Sequence, residues 1–248
     1  MGLMANASSV ARAASDNTPQ IAQQSGLGHM RIQVRVYDHE VMPAADQTVA
    51  LRAAAGVLAA AGIDVRWVRC GEDASTDNPQ ACDTPIGRAE LSVRFVRLPG
   101  LPSARGKLRL GYSLVDTAIG EGELATVYVD RVHWLAVQAG ADSAVVLGFA
   151  VAHEIGHLLL GTNAHAASGL MRAVWSRIEL QHGELADWLF SPAEGSTMRA
   201  SIAKREGLRS SQRDANGCFA PGGGAADSSA ECGGDDSASL RRLAARTD

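Results

Sequence analysis

His153-Glu154-Ile155-Gly156-His157 puts two histidines four residues apart with a glutamate between them, at the end of an apolar run from Ala144 to Ala152. On a helix, residues four apart share a face, so both imidazoles can address one ion. Neutral imidazole nitrogens suit zinc, and a catalytic zinc keeps one position open for water. Glu154, adjacent to the first ligand, can take a proton from that water. Gly161 is placed to end the helix as a left-handed cap. After the turn comes His165, a candidate third ligand. The bland reading is two hydrogen-bonded histidines and a solvated glutamate. The apolar run argues against it, because a helix that begins so apolar buries its later turns as well, and His165 and Met171 fall in the same short stretch. A zinc site is the stronger reading.

The third ligand has competitors. Glu179 and Glu184 lie on a later predicted helix, and either carboxylate could complete the site in the manner of a gluzincin. His165 needs only a local turn, whereas a helix glutamate needs a distant segment to fold back. His29, His39, His133 and His182 are expected on loops or faces in water.

The stretch from His153 to Met171 resembles the metzincin metallopeptidases, whose signature is H-E-x-x-H-x-x-G-x-x-H followed by a methionine-containing turn. Leu160 and Asn163 stand where the strict pattern has glycine and histidine. Gly161 comes one residue late and His165 two, which a slightly longer helix and turn would accommodate. Ser168-Gly169-Leu170-Met171 resembles the matrixin-type Met-turn, which would place Met171 beneath the zinc. An ordinary core methionine is the competing account of Met171. Trp175 occupies the neighbourhood where some metzincins carry a tyrosine, and it cannot play that part. Leu110-Gly111-Tyr112-Ser113-Leu114 and Thr126 to Trp134 are similar, more loosely, to the matrixin cleft-edge strand and the strand before the active-site helix. The likeness covers about residues 30–175 and is specific only within 153–171.

This resemblance implies a zinc metallopeptidase with one catalytic Zn²⁺ on His153, His157 and His165 and Glu154 as general base. It also implies an exposed edge strand at Gly111, Tyr112 and Ser113 that pairs with an extended peptide or protein substrate. The plain alternative is an ordinary edge blunted by Lys107 and Arg109. A reading from another class is a zincin-fold sensor or interaction module with little or no proteolysis. The shifted ligand spacing favours that module; the presence of Glu154, which zinc binding does not require, favours the enzyme.

The elements that would position these residues can be read from periodicity. Arg31 to Tyr37 alternates as a strand, Pro43 opens an alanine-rich helix over Ala44 to Ala61, and Ile63 to Val68 is a second strand, a parallel pair with a right-handed crossover. Glu90 to Leu98, Leu108 to Val115 and Leu124 to Val129 give three more strands. A short helix follows Asp130 to Trp134, and Asp142 or Ser143 caps the motif helix. Ser176 to Phe190 and Pro192 to Glu206 read as two helices, capped by Ser176 and Ser191. The expected fold is α/β and zincin-like: a mixed twisted sheet of about five strands, a crossover helix, the motif helix and C-terminal helices. The expected domains are a disordered tail over 1–29, the catalytic domain over 30–207 and a low-complexity, disordered tail over 208–248.

Composition sets wider limits. The chain has 248 residues, 46% hydrophobic, with a formal net charge of −4, so no basic surface suggests nucleic acid. No uninterrupted apolar run reaches the roughly 18 residues of a spanning helix. The start lacks the apolar core of a secretory signal and contains no cysteine that could block a zinc. Cys70 with Cys82, and Cys218 with Cys232, are spaced as local disulfide loops, which would suit a secreted or periplasmic location; unpaired thiols and a cytoplasmic location are the alternative.

Overall fold

Strand β1 (Met30–Tyr37) alternates Ile32, Val34 and Val36 on one face. In the sheet this strand lies between two others. The helix α1 (Ala44–Ala60) crosses to β2 (Ile63–Cys70), which lies parallel to β1. After the short helix α2 (Gln80–Asp83), β3 (Glu90–Val96) pairs parallel on the other side of β1. The antiparallel strands β4 (Gly111–Asp116) and β5 (Glu121–Tyr128) complete a five-stranded mixed sheet of order β2-β1-β3-β5-β4. The architecture is mixed α/β, and β4 is an edge strand. In this computed structural model residues 30–38, 41–71, 80–98 and 108–216 are described, without the side chains of 80 and 208–216.

One face of the sheet carries the core. Ile32, Val34, Val36, Leu91, Val93, Phe95, Ala125 and Val127 are buried, and α1 and α4 (Ser143–Leu160) pack with them in one cluster. The opposite face carries polar residues, among them Arg35, Ser92, Arg94 and Thr126. Arg35 is buried there in an ion pair with Glu90 at 2.6 Å and donates to the carbonyl oxygens of Thr84 and Pro85. This ties down the loop after the Cys70–Cys82 disulfide, which is formed. The second expected pair, Cys218 and Cys232, lies outside the described residues, as does the expected tail 1–29.

α1 and α4 meet almost backbone to backbone. A Cβ added at Gly148 would stand 2.5 Å from the carbonyl oxygen of Ala50 and 2.6 Å from the Cβ of Ala53. Alanine is the better helix former by about 1 kcal/mol, but a main-chain oxygen cannot swing aside as a side chain can. Gly148→Ala is therefore expected to destabilise the fold, by about 1–3 kcal/mol, the usual cost of overpacking. Urea denaturation checks this; equal or greater stability would contradict the close approach.

Three expectations need correction. Ser176 to Phe190 is not one helix: α5 (Arg177–His182) ends at Gly183, and a separate 3₁₀ turn spans Leu185–Trp188. The cause lies in two successive capping boxes, Ser176 with Glu179 and Glu184 with Asp187, each of which starts a new helical turn. The motif helix α4 is also long and apolar enough, by length and composition, to cross a membrane, although its charged motif interrupts the apolar run. Most of it is buried inside the fold, as a core helix is. A helix, α3 (Val129–Ala139), does precede it, but it takes in Asp130 to Trp134, which were expected to lead into it. The last helix, α6 (Pro192–Asn216), opens with a Ser191–Glu194 box and runs on past Glu206, so the expected tail boundary at 208 falls inside it. The chain separates after Ser211 into two units; the sheet and the motif helix belong to the first.

Candidate metal centre

α4 is pinned at both ends. The Asp142 carboxylate accepts from the backbone N–H of Ala144 and Val145, at 2.8 and 3.0 Å. Gly161 closes the helix with φ of +67°, and a side chain there would run into the Gly120 backbone. Its left-handed cap is what turns the chain toward His165.

Within the helix, the two histidines are oriented by the loop after it. His153 Nδ1 lies 2.9 Å from the carbonyl oxygen of Leu170, and His157 Nδ1 lies 2.8 Å from that of Thr162. A carbonyl only accepts, so each Nδ1 carries the hydrogen, and each neutral ring presents a bare Nε2. These two Nε2 atoms face one another at 3.1 Å. Two lone pairs at that distance repel unless a cation shares them. Zinc with bonds of about 2.0–2.1 Å in tetrahedral geometry separates its ligand nitrogens by about 3.3 Å. Nδ1 donation to a main-chain carbonyl is also how metal-binding histidines are commonly oriented.

His165 completes the group. Its ring centroid is 5.4 Å from that of His153 and 4.8 Å from that of His157. Among the described residues, His153, His157 and His165 form the group able to hold a metal, with ligand atoms all within 4.8 Å of one another. Burial keeps the rings in the ligand form: it pushes the His153 pKa down to about 4 against the hydrogen bond to Leu170, and it lowers that of His157. The residues present fit a zinc ion.

Glu154 sits beside them, 6% exposed. Burial pushes its carboxyl up to about 7, and the hydroxyl of Ser113 on β4 opposes that rise. Ser113 Oγ lies 2.7 Å from Glu154 Oε2 and 2.8 Å from the Glu154 main-chain oxygen. A carboxyl raised from 4.5 to about 7 makes a folding penalty that is absent below pH 4.5, grows between the two values and is full above about 7. That interval corresponds to about 3 kcal/mol. In chelator-treated protein, Glu154→Gln should therefore gain stability over wild type as pH rises from about 4.5 to 7, with no such gain at pH 4. Urea titrations at several pH values test this; a difference that does not change with pH would contradict it.

No protein-family model matches the chain, and no curated protein matches it. Among solved structures, 13 chains match. One is a crystal structure of archaemetzincin from Methanopyrus kandleri at 1.5 Å resolution. It is 15% identical, and the alignment covers 70% of this chain and 96% of that one with a TM-score of 0.43.

The remaining predicted residues take definite places. Met171 is 1% exposed and packs against α4, where a Cβ on Gly156 would come within 2.7 Å of its Sδ. Gly156 lies between the two helix histidines, so Met171 backs the turn that carries them. The loop holding it is fixed by Gly169 at φ of +75° and by the Leu170 N–H donating to Leu189. Trp175 donates through Nε1 to the same Leu170 oxygen that orients His153, and its ring stands edge-on to that histidine. Glu179 is engaged elsewhere: its carboxylate accepts from the Ser176 N–H at 2.7 Å and pairs with Arg172 at 3.5 Å. Glu184 is exposed, and its N–H donates to Asp187. His133 and His182 are exposed; His29 and His39 lie outside the described residues.

On β4 the side chains divide. Gly111 and Ser113 face α4, whereas Tyr112 turns to the other face, where its hydroxyl accepts from Arg94 at 2.7 Å. Reading 111–113 as one main-chain strip missed the contact between Ser113 and Glu154. The alternation of a strand does place 111 and 113 on one side, but nothing in the residue types says which side meets the helix.

Proposed function

We propose that this chain is a zinc metallopeptidase of metzincin type that hydrolyses peptide bonds. The observation that carries this reading is the pair of bare Nε2 atoms of His153 and His157 at 3.1 Å, with His165 and the buried Glu154 beside them. Zinc held by the three imidazoles would acidify a water and polarise the substrate carbonyl. Glu154 would accept a proton from water and return it to the leaving amine. Leu170 and Thr162 hold the two helix imidazoles in register through their carbonyls. Met171 supports the helix turn from behind, in the position that a Met-turn would occupy. The side of β4 away from β5, which no other described strand pairs with, would offer main-chain groups to an extended substrate, and the Cys70–Cys82 bridge suits an oxidising compartment.

The zinc-binding module with little turnover is favoured by one feature. The three ligand atoms spread to 4.8 Å, wider than the tetrahedral edge, and His165 comes from an exposed turn. A broad peptide library separates the two readings. Cleavage by the zinc-loaded protein, abolished by a chelator and restored by added zinc, is the expected result. Zinc binding at full stoichiometry without any cleavage would replace the peptidase with the module.

A further inference from the structure

We infer that Ser113, on the edge strand, is the positioning residue for the Glu154 carboxylate. The inference rests on the peptidase reading and deepens it. Glu154 is held on a helix, but a glutamate side chain has three rotatable bonds, and burial alone does not choose where its oxygens stand. Two groups on β4 make that choice. Ser113 Oγ lies 2.7 Å from Oε2. Gly111, on the same side of the strand, leaves room for the other oxygen: a Cβ there would stand 2.7 Å from Oε1 and 2.6 Å from the Thr126 carbonyl oxygen. The strand therefore grips one oxygen and clears space for the second.

Ser113 also lies 2.8 Å from the main-chain oxygen of Glu154. A hydroxyl has one hydrogen and two lone pairs, so it cannot donate to both acceptors together. With the carboxylate ionised, the hydrogen goes to Oε2. Once Glu154 has taken a proton from water, its O–H donates to Ser113 Oγ, and the serine hydrogen turns to the main-chain oxygen. In both states one hydrogen bridges Ser113 Oγ and Oε2, so the carboxyl group stays in place while it stores the proton for the leaving amine. Alanine at 113 can do neither, while threonine retains the hydroxyl. The strand that offers its outer edge to substrate thus holds the base with its inner side chains.

The test uses the full chain loaded with zinc, as wild type, Ser113→Ala and Ser113→Thr. Crystal structures of all three read the carboxylate position, and a quenched-fluorescence peptide mixture reads turnover. Ser113→Ala should bind about one zinc per chain, leave the carboxylate displaced from its wild-type place and lower kcat by about a hundredfold, the scale of a 1 Å misplacement, with KM little changed. Ser113→Thr should restore both the position and most of kcat. A carboxylate unmoved in Ser113→Ala, or a loss that falls on KM instead of kcat, would overturn the assignment. If wild type cleaves nothing, the peptidase reading fails and takes the catalytic consequence with it. The carboxylate position in the three structures still decides whether Ser113 sets it.

Discussion

Glu154→Gln should keep about one zinc per chain and lose peptide hydrolysis by about 10²–10⁴-fold, the range over which a positioned general base acts. Glutamine matches the glutamate in size and can still meet Ser113, so the fold and the three imidazoles are left as they were. What disappears is the oxygen proposed to take a proton. In the metal-free chain burial pushes that carboxyl up to about 7. Zinc content measured on the same samples as the rate separates a lost base from a lost metal. Residual activity near that of wild type would remove Glu154 from the role.

His165→Ala should weaken zinc binding by well over 100-fold, because even the groups that merely orient metal ligands are worth about 10–100-fold in affinity. Asn163→Ala should leave affinity nearly unchanged. The pair is informative because Asn163 holds the place that the strict metzincin spacing would give to a histidine, while the ring of His165 is the one found beside His153 and His157. Competition with a chromophoric chelator measures both. The reverse order of effects would return the third ligand to the unshifted position. Zinc held fully without His165 would redirect the search to Glu179 and Glu184. Glu179 would then have to leave Ser176 and Arg172, at the cost of the capping box that begins α5.

The helix that carries the motif was readable because local rules agree along it: an Asp142 cap, an apolar run up to the motif and a glycine at the required left-handed position. The strands were readable for a similar reason, since alternation in β1 and β3 is sharp and strand, helix and strand in series imply the parallel crossover through α1. Their order across the sheet was not, because β3 inserting beside β1 and β5 beside β3 depends on packing between distant segments. The region after Met171 shows the limit from another side. Its apolar spacing over 176–190 suited one helix, yet two short capping boxes outweighed it, and the second used glutamate and aspartate in place of the usual serine.

At the site, spacing alone brought His153 and His157 together, since it is fixed by one helix. The place of His165 required the turn at Gly161 and the loop tied down by Leu170 and Leu189, which are tertiary facts. The orienting carbonyls of Leu170 and Thr162 were invisible for a simpler reason: every residue has a carbonyl, so no residue type marks them. Ser113 is the intermediate case. Its side of the strand could be grouped with Gly111, but its partner on α4 lies 41 residues away in the chain.

The central claim is that His153, His157 and His165 hold one zinc together. Zinc-edge X-ray absorption on the purified wild-type chain tests it most directly. The expected result is about one zinc per chain, with three imidazole nitrogens at about 2.0–2.1 Å and a further oxygen from water. A chain that takes up no zinc, or a zinc with two imidazoles or with sulfur among its ligands, would contradict it.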